Sequence, residues 1–335
     1  MHFQSLMETL RDRENILILC HQNADPDALG SAYALSQLIS RKAPSKKVEV
    51  AAPEGVSRVG RQVLQHLPLS VTLSPTLDNA DILMLVDTNT IIQLGEFGES
   101  VKNSSKPFVL IDHHAPNQET VKLATLSITD EEASSTCEII YDLFEEANVE
   151  PDRNVALALF LGIAYDTRHF IIARSRTLQI VAKLLDAGLV VEEALPLLAI
   201  PLETSERVAR LKAAQRLQRI KLREWIVAVS RVGSYQSSAA RALLVLGADV
   251  AVVGGERKGK LKISLRATKR FFDGTGLHLG RDIAVPLGRL VGGMGGGHST
   301  AAGVNGEGSL DEALKACLRL LREAVCGSEG EKSLG

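Results

Sequence analysis

The chain has 335 residues, 45% of them apolar, a formal net charge of −2 and an aromatic content of only 4%. That length favours two domains with sizeable cores. The weak charge argues against a protein that grips long nucleic acid mainly by neutralising phosphates; the scarcity of aromatics excludes long base-stacking platforms; and no apolar run reaches the roughly 18 residues of a membrane span.

In chain order, residues 16–19 (ILIL) read as a buried strand. His21, Asn23, Asp25 and Asp27 follow at once, and 28–35 turns helical, with Gly30 and small residues expected to pack close to what precedes them, the strand. Further apolar runs at 48–52, 82–86, 108–111 and 124–128 alternate with helical patterns at 31–39, 57–67 and 135–146. Such alternation predicts an α/β fold, a mostly parallel sheet with helices on both faces. Residues 155–165 are apolar nearly all round and predict a buried helix; 174–185 predicts another, closed by Gly188. From 191 to 222 the pattern is helical and increasingly charged, a connecting segment. A smaller α/β unit follows, with strands at 224–230, 250–254 and 260–266 and a closing amphipathic helix at 310–325. Cys20, Cys137, Cys317 and Cys326 show no CxxC spacing. With no signal-peptide pattern at the start of the sequence, they lead to the expectation of a reducing, cytoplasmic location.

Four segments share one form, an apolar run ending in acid or imidazole. They are the 16–27 stretch with His21, Asp25 and Asp27; MLVDTNT with Asp87; LIDHH with Asp112, His113 and His114; and GIAYDTRHF with Asp166. A single strand-end Asp is most often a turn or capping residue, and Asp27 could simply cap a helix. In a parallel sheet, however, the carboxyl ends of strands share one edge, which is where open α/β sheets place their sites. Imidazole with carboxylate suits a borderline-to-hard divalent ion such as Mn²⁺, with Mg²⁺ as the alternative. His21, Asp25, Asp27, Asp87, His113 and Asp166 are six candidate donors, too many for one open site, so two ions are expected, with Asp87 bridging them. Asp112 is expected to buttress an imidazole, and His114 to face substrate as general acid or phosphate ligand.

HQNADPDALGS, VDT, IDHH and the Asp of AYDT, in that order, resemble the four motifs of the DHH phosphoesterase superfamily. That resemblance implies that His21, Asp25 and Asp87 hold one Mn²⁺ and that Asp27, Asp87, His113 and Asp166 hold the other. In the second unit, VGGMGGGHSTAAG resembles the GGGH motif of the DHH-associated C-terminal domain, which implies substrate binding by Gly295, Gly296, Gly297, His298 and Ser299. Read from the residues alone, this is a Gly-rich loop whose backbone N–H groups could form an anion nest, or else only a turn. Arg266 matches a strand arginine that contacts phosphate in similar proteins; the competing reading is a solvated charge on an edge strand. Arg168 and His169 depart from the usual pattern, in which a small residue precedes an aromatic; they could reach substrate phosphate or could restrict access.

The expected organisation is a DHH metal-binding catalytic domain over 1–190, a helical linker over 191–222, a DHH-associated substrate-binding domain over 223–327 and a frayed tail over 328–335. The expected function is a Mn²⁺-dependent phosphodiesterase of short oligonucleotides, nanoRNA and linear dinucleotides, with phosphatase activity on 3′-phosphoadenosine 5′-phosphate beside it. A RecJ-like single-strand exonuclease is the alternative, and a non-catalytic nucleic-acid or replisome scaffold ranks below both, because every expected ligand is present. The expected partners are short single-stranded oligonucleotides or nucleotides, with no membrane, and an amphipathic linker helix could support a homodimer.

Overall fold

The computed structural model describes residues 2–327; the tail read over 328–335 lies outside the described residues. The chain divides into two compact units, Met1–Ile200 and Pro201–Gly335.

In the first unit, β1 (Asn15–Cys20), β2 (Lys47–Ala51), β3 (Ile82–Val86), β4 (Phe108–Asp112) and β5 (Leu126–Thr129) form one parallel sheet in the order β2-β1-β3-β4-β5. The three central strands are apolar on both faces because both are covered. Ile16, Ile18, Met84, Val86, Val109 and Ile111 pack with the helices Pro26–Lys42, Thr136–Glu146 and Arg153–Asp166. Leu17, Leu19, Leu83, Leu85 and Leu110 face the other way, onto Ile91, Leu94 and Val101. Each such side chain contributes about 1.5–3 kcal/mol when fully buried. A shift of one residue in β1 would exchange the two sets, so register is strongly specified.

The helices are brought close by two glycines. A Cβ on Gly30 would lie 2.5 Å from the Ala158 carbonyl oxygen, so Gly30 serves a later helix rather than the preceding strand. A Cβ on Gly162 would lie 2.3 Å from Cys137 Sγ and 2.9 Å from Asp27 Oδ1. The helix ending at Asp166 therefore runs directly against Asp27.

The second unit has six strands, β6 (Gln218–Leu222), β7 (Trp225–Arg231), β8 (Val250–Arg257), β9 (Lys260–Ala267), β10 (Met294–Gly297) and β11 (Ala301–Glu307). Their order is β10-β11-β9-β8-β7-β6, with β7 and β8 parallel and the other pairs antiparallel. One face buries Val227, Val252, Ile263 and Leu265 with Leu314, Cys317 and Leu321 of the helix Leu310–Cys326. The other face buries Ala228, Ala251 and Val253 with Ala213, Ala239 and Leu243 of the helices Thr204–Gln215 and Gln236–Val245.

Two expectations are corrected here. The segment over 191–222 is not one helical linker. Residues 191–198 belong to the first unit, the helix Thr204–Gln215 to the second, and 218–222 is strand β6. Ile220 and Leu222 alternate with polar residues, and Arg223, at φ 52°, turns the chain back so that Leu222 pairs with Trp225. The glycine run is likewise not a loop: residues 294–297 are strand β10, paired with β11. Among the described residues, no helix is long and apolar enough to cross a membrane.

Candidate metal centre

β1, β3 and β4 are adjacent and parallel, so the residues leaving their carboxyl ends meet. After β1 the chain makes a tight polar turn, with Asn23 at φ 58°, and Asp25 caps the helix Pro26–Lys42 by accepting from the Asp27 and Ala28 N–H groups at 3.0 and 3.2 Å. Asp25, not Asp27, is therefore the cap. Asp27, the second residue of that helix, is fully buried, and its carboxylate accepts from Thr136 N at 2.7 Å and Cys137 N at 3.0 Å. These amides open the helix Thr136–Glu146, whose first N–H groups have no partner within the helix and whose dipole favours an anion.

His21 Nδ1 lies 2.7 Å from the Gln22 carbonyl oxygen. A carbonyl only accepts, so Nδ1 carries a hydrogen, and when the ring is neutral its lone pair lies on Nε2, the tautomer a metal ligand requires. That Nε2 is 3.8 Å from Asp25 Oδ1 and 3.6 Å from Asp87 Oδ2. Asp87 is 3% exposed, sits at φ 56° where β3 ends, and donates its N–H to the Ile111 carbonyl. Its Oδ1 faces the opposite way, 3.7 Å from both His113 Nε2 and His114 Nδ1, and accepts from the Thr136 hydroxyl at 3.0 Å. Asp112, fully buried, accepts from His114 Nδ1 at 2.8 Å and from the His114 N–H at 3.1 Å.

The helix Arg153–Asp166 delivers Asp166 to the same place, with Oδ2 3.2 Å from His113 Nε2. That contact lacks hydrogen-bond geometry, and His113 Nε2 is a buried atom with no hydrogen-bond partner. Three sets of donor atoms converge within 4.8 Å: His21, Asp25 and Asp87; Asp27, His113 and Asp166; and Asp87, Asp112, His113 and His114. The structure thus brings together all eight residues singled out in the first unit for metal or proton chemistry, while Arg168 is exposed two residues beyond.

Five carboxylates and three imidazoles leave excess negative charge in a largely buried space. Burial together with Asp87, Asp166 and Asp25 pushes the Asp27 carboxyl well above the ordinary range, and burial with Asp87 and Asp25 raises Asp166 despite His113. Burial pulls His21 down, but Asp25 and Asp87 outweigh it and hold the imidazole up at about 11. Asp112 is the main cause that lifts His114 to about 9. These four shifts all favour the more positive form, whereas, against burial, His21 and the amides that Asp25 caps hold Asp25 below the ordinary range. Mixed oxygen and imidazole donors, a ligand-ready tautomer at His21 and an orphaned ring nitrogen at His113 fit a hard or borderline divalent cation.

In the second unit, packing explains most of the glycine run. A Cβ on Gly295 would stand 1.7 Å from the Ala284 carbonyl oxygen, and Gly297, at φ 142°, would meet the Ala301 carbonyl at 2.3 Å. Gly296 and its cross-strand partner Gly303 differ. Gly296 has nothing within 4 Å, Gly303 only the Ile263 carbonyl oxygen at 3.8 Å, and neither has positive φ. Both are exposed. His298, Ser299 and Thr300 form the turn between β10 and β11, and their carbonyls accept from Gly280, Leu279 and Ala267, which pins it. Arg266 is neither on an edge strand nor fully solvated: β9 lies between β8 and β11, and the guanidinium donates to the Leu265 carbonyl at 2.8 Å and to Ser237 Oγ at 2.6 Å.

Sequence reasoning missed Thr136, Cys137 and Ser237. Ser135 is legible as a helix cap, but nothing local reveals that the amides it opens receive an aspartate 109 positions upstream.

A profile of the DHH family, N-terminal domain, matches residues 15–163. An uncharacterized protein, MJ0988, of Methanocaldococcus jannaschii is 35% identical over 300 residues, covering 90% of this chain and 89% of its own. A probable manganese-dependent inorganic pyrophosphatase of Lactococcus lactis is 32% identical over 161 residues, 46% of this chain and 49% of its own. The probable bifunctional oligoribonuclease and PAP phosphatase NrnA of Streptococcus mutans is 28% identical over 185 residues, 55% and 56% respectively. These last two matches span about half of each protein. With the DHH signature at Asp112–His114 in the middle of the cluster, and a relative matched along nearly its whole length, the chain is a member of the DHH family.

Proposed function

We propose that the protein is a divalent-metal-dependent phosphodiesterase that hydrolyses short oligonucleotides and linear dinucleotides, with Mn²⁺ as the working ion and removal of a phosphate from 3′-phosphoadenosine 5′-phosphate as a second activity. The observation that carries this reading is Asp87, whose two oxygens face two different groups of donors. His21, Asp25 and Asp87 would hold one cation, and Asp27, Asp87, His113 and Asp166 the other. Bound there, divalent cations supply Lewis acidity, activating water at neutral pH and offsetting charge on phosphoryl oxygens.

The chain's own groups do the rest. The His114 ring is fixed by Asp112, which favours its protonated form. It can donate to a phosphoryl oxygen or to a leaving alkoxide. Being 46% exposed, it can meet a substrate. Arg266, His298, Ser299 and the floor of Gly296 and Gly303 would bind substrate in the second unit, and Arg168 a phosphate near the cations in the first. Binding that relies on these few residues would suit short molecules, which agrees with the weak overall charge.

Identity to the pyrophosphatase and to the oligoribonuclease is similar over comparable stretches, so the two substrate classes must be compared directly. The test measures initial rates of the Mn²⁺-loaded protein on dinucleotides, long single strands, 3′-phosphoadenosine 5′-phosphate and pyrophosphate. Dinucleotide turnover is expected to lead. A preference for long strands would replace this reading with a RecJ-like exonuclease, and dominant pyrophosphate turnover would overturn it.

A further inference from the structure

One residue touches two of the clustered carboxylates through two different groups. The Thr136 N–H donates to Asp27 Oδ2 at 2.7 Å, and the Thr136 hydroxyl donates to Asp87 Oδ1 at 3.0 Å. Asp27 and Thr136 are fully buried and Asp87 is 3% exposed, so none of these bonds is shared with solvent. Two buried carboxylates of like charge repel, and the χ2 torsion of an aspartate is broad and soft. Asp27 is held by two backbone amides of a helix start, which cannot rotate away. Asp87 has a different need. To face two groups of donors it must present Oδ2 to His21 and Asp25 while Oδ1 faces His113. The Thr136 hydroxyl occupies one lone pair of Oδ1, leaves another for a ligand role, and leaves Oδ2 free. It therefore fixes the plane of the carboxylate.

We propose that Thr136 is a positioning residue that locks the Asp87 carboxylate in its two-sided orientation and ties it to Asp27, so that two cations are held as a pair. This rests on the reading of the cluster as a two-cation centre. Thr136 touches neither substrate nor reacting atoms; it acts through Asp87. The amide contribution survives any side-chain substitution, so side-chain variants isolate the hydroxyl. Val keeps the shape and Ser keeps the donor.

The experiment titrates the intact protein with Mn²⁺ by calorimetry and records low-temperature electron paramagnetic resonance, with no substrate present. Wild type is expected to bind two ions and to show the spectrum of an exchange-coupled pair. Thr136→Val should keep its circular dichroism while its weaker site loses about 10–100-fold in affinity, as when an outer partner of a ligand is removed. Its spectrum should become that of isolated ions. Thr136→Ser should restore the coupled spectrum. Thr136→Ala, which needs no buried methyl to fit beside Asp87, should behave as the Val variant and serves if that one fails to fold. A Val or Ala variant that binds two ions within twofold of the wild-type affinities, with the coupled spectrum unchanged, overturns the proposal. Wild type that takes up no pair of ions overturns the two-cation reading, and the role of Thr136 with it.

Discussion

The two units treat their special residues in opposite ways. In the first, four of the eight clustered residues are held by neighbours outside the proposed cation ligands: Asp27 by two amides, Asp87 by a threonine, His21 by a carbonyl and His114 by Asp112. In the second, the residues that look most like a ligand site are mostly there for packing, because helices pass within contact distance of strand β10. Function in the first unit is read from what is over-determined. In the second it is read from what packing leaves unexplained, namely Gly296, Gly303 and the pinned turn beside them.

The sharpest way to break this contrast is at Asp87. Asp87→Asn keeps shape, tolerance of the left-handed conformation and an acceptor for Thr136, but removes the charge that faces two groups. We expect kcat/KM to fall by about 10³-fold or more, roughly 4 kcal/mol of transition-state stabilisation, with the thermal unfolding midpoint unchanged or raised. The rise would come from relief of the repulsion that Asp87 exerts on Asp27 and Asp166. A variant with near-normal rates would remove Asp87 from the centre of the site.

The glycines supply a pair of predictions of smaller size. Gly295→Ala forces a Cβ to within 1.7 Å of a backbone carbonyl and should destabilise the protein by about 3 kcal/mol in urea unfolding. Gly296→Ala, its neighbour, meets open space and should leave stability unchanged or raise it by about 0.5–1 kcal/mol, since glycine is a poor strand residue. If substrate lies on that floor, the Gly296 variant should raise KM for a dinucleotide several-fold. Equal stability costs at both positions would dissolve the distinction. His298→Ala should likewise raise KM more than it lowers kcat, if the turn binds substrate without holding a cation; unchanged kinetics would reduce it to a turn.

The same contrast explains how much of the molecule was legible in the sequence. The parallel sheet and its site edge were, because 16–19, 82–86 and 108–111 are apolar runs that each end in His or Asp, and a parallel sheet leaves those ends no other place to go. The sequence marks Asp27 as special but leaves open a capping role that belongs to Asp25, because the cap depends on where the helix starts within two residues. Strands β6, β10 and β11 escaped. In β6 the alternation spans only Ile220 and Leu222 beside a charged helix, and in β10 four consecutive residues offer no side-chain pattern beyond Met294. Glycine there reports a close approach by residues 280–288, a tertiary fact that no window of sequence holds. Thr136 was invisible for the same reason, its partners lying 49 and 109 positions away.

The smallest expected effect separates fold from function at one position. Arg168, His169 and Phe170 are three consecutive residues with positive φ, at 52°, 57° and 68°, directly after the helix that ends in Asp166. The turn is held in place by the Arg168 and His169 N–H groups, which donate to the Tyr165 and Ala164 carbonyls, by the Phe170 N–H, which donates to the Thr167 hydroxyl, and by Phe170 against Phe160. The first left-handed position after a helix is the one glycine usually fills, and a side chain there costs about 1 kcal/mol. Arg168→Gly should therefore stabilise the protein by up to about 1 kcal/mol while lowering kcat/KM on a phosphorylated dinucleotide, with less effect on the unphosphorylated one. Loss of activity with gain of stability would mark strain retained for a contact with phosphate. A gain of stability with both substrates unaffected would show that the arginine only fills the turn, and would confine the candidate site of the first unit to the residues gathered around Asp87.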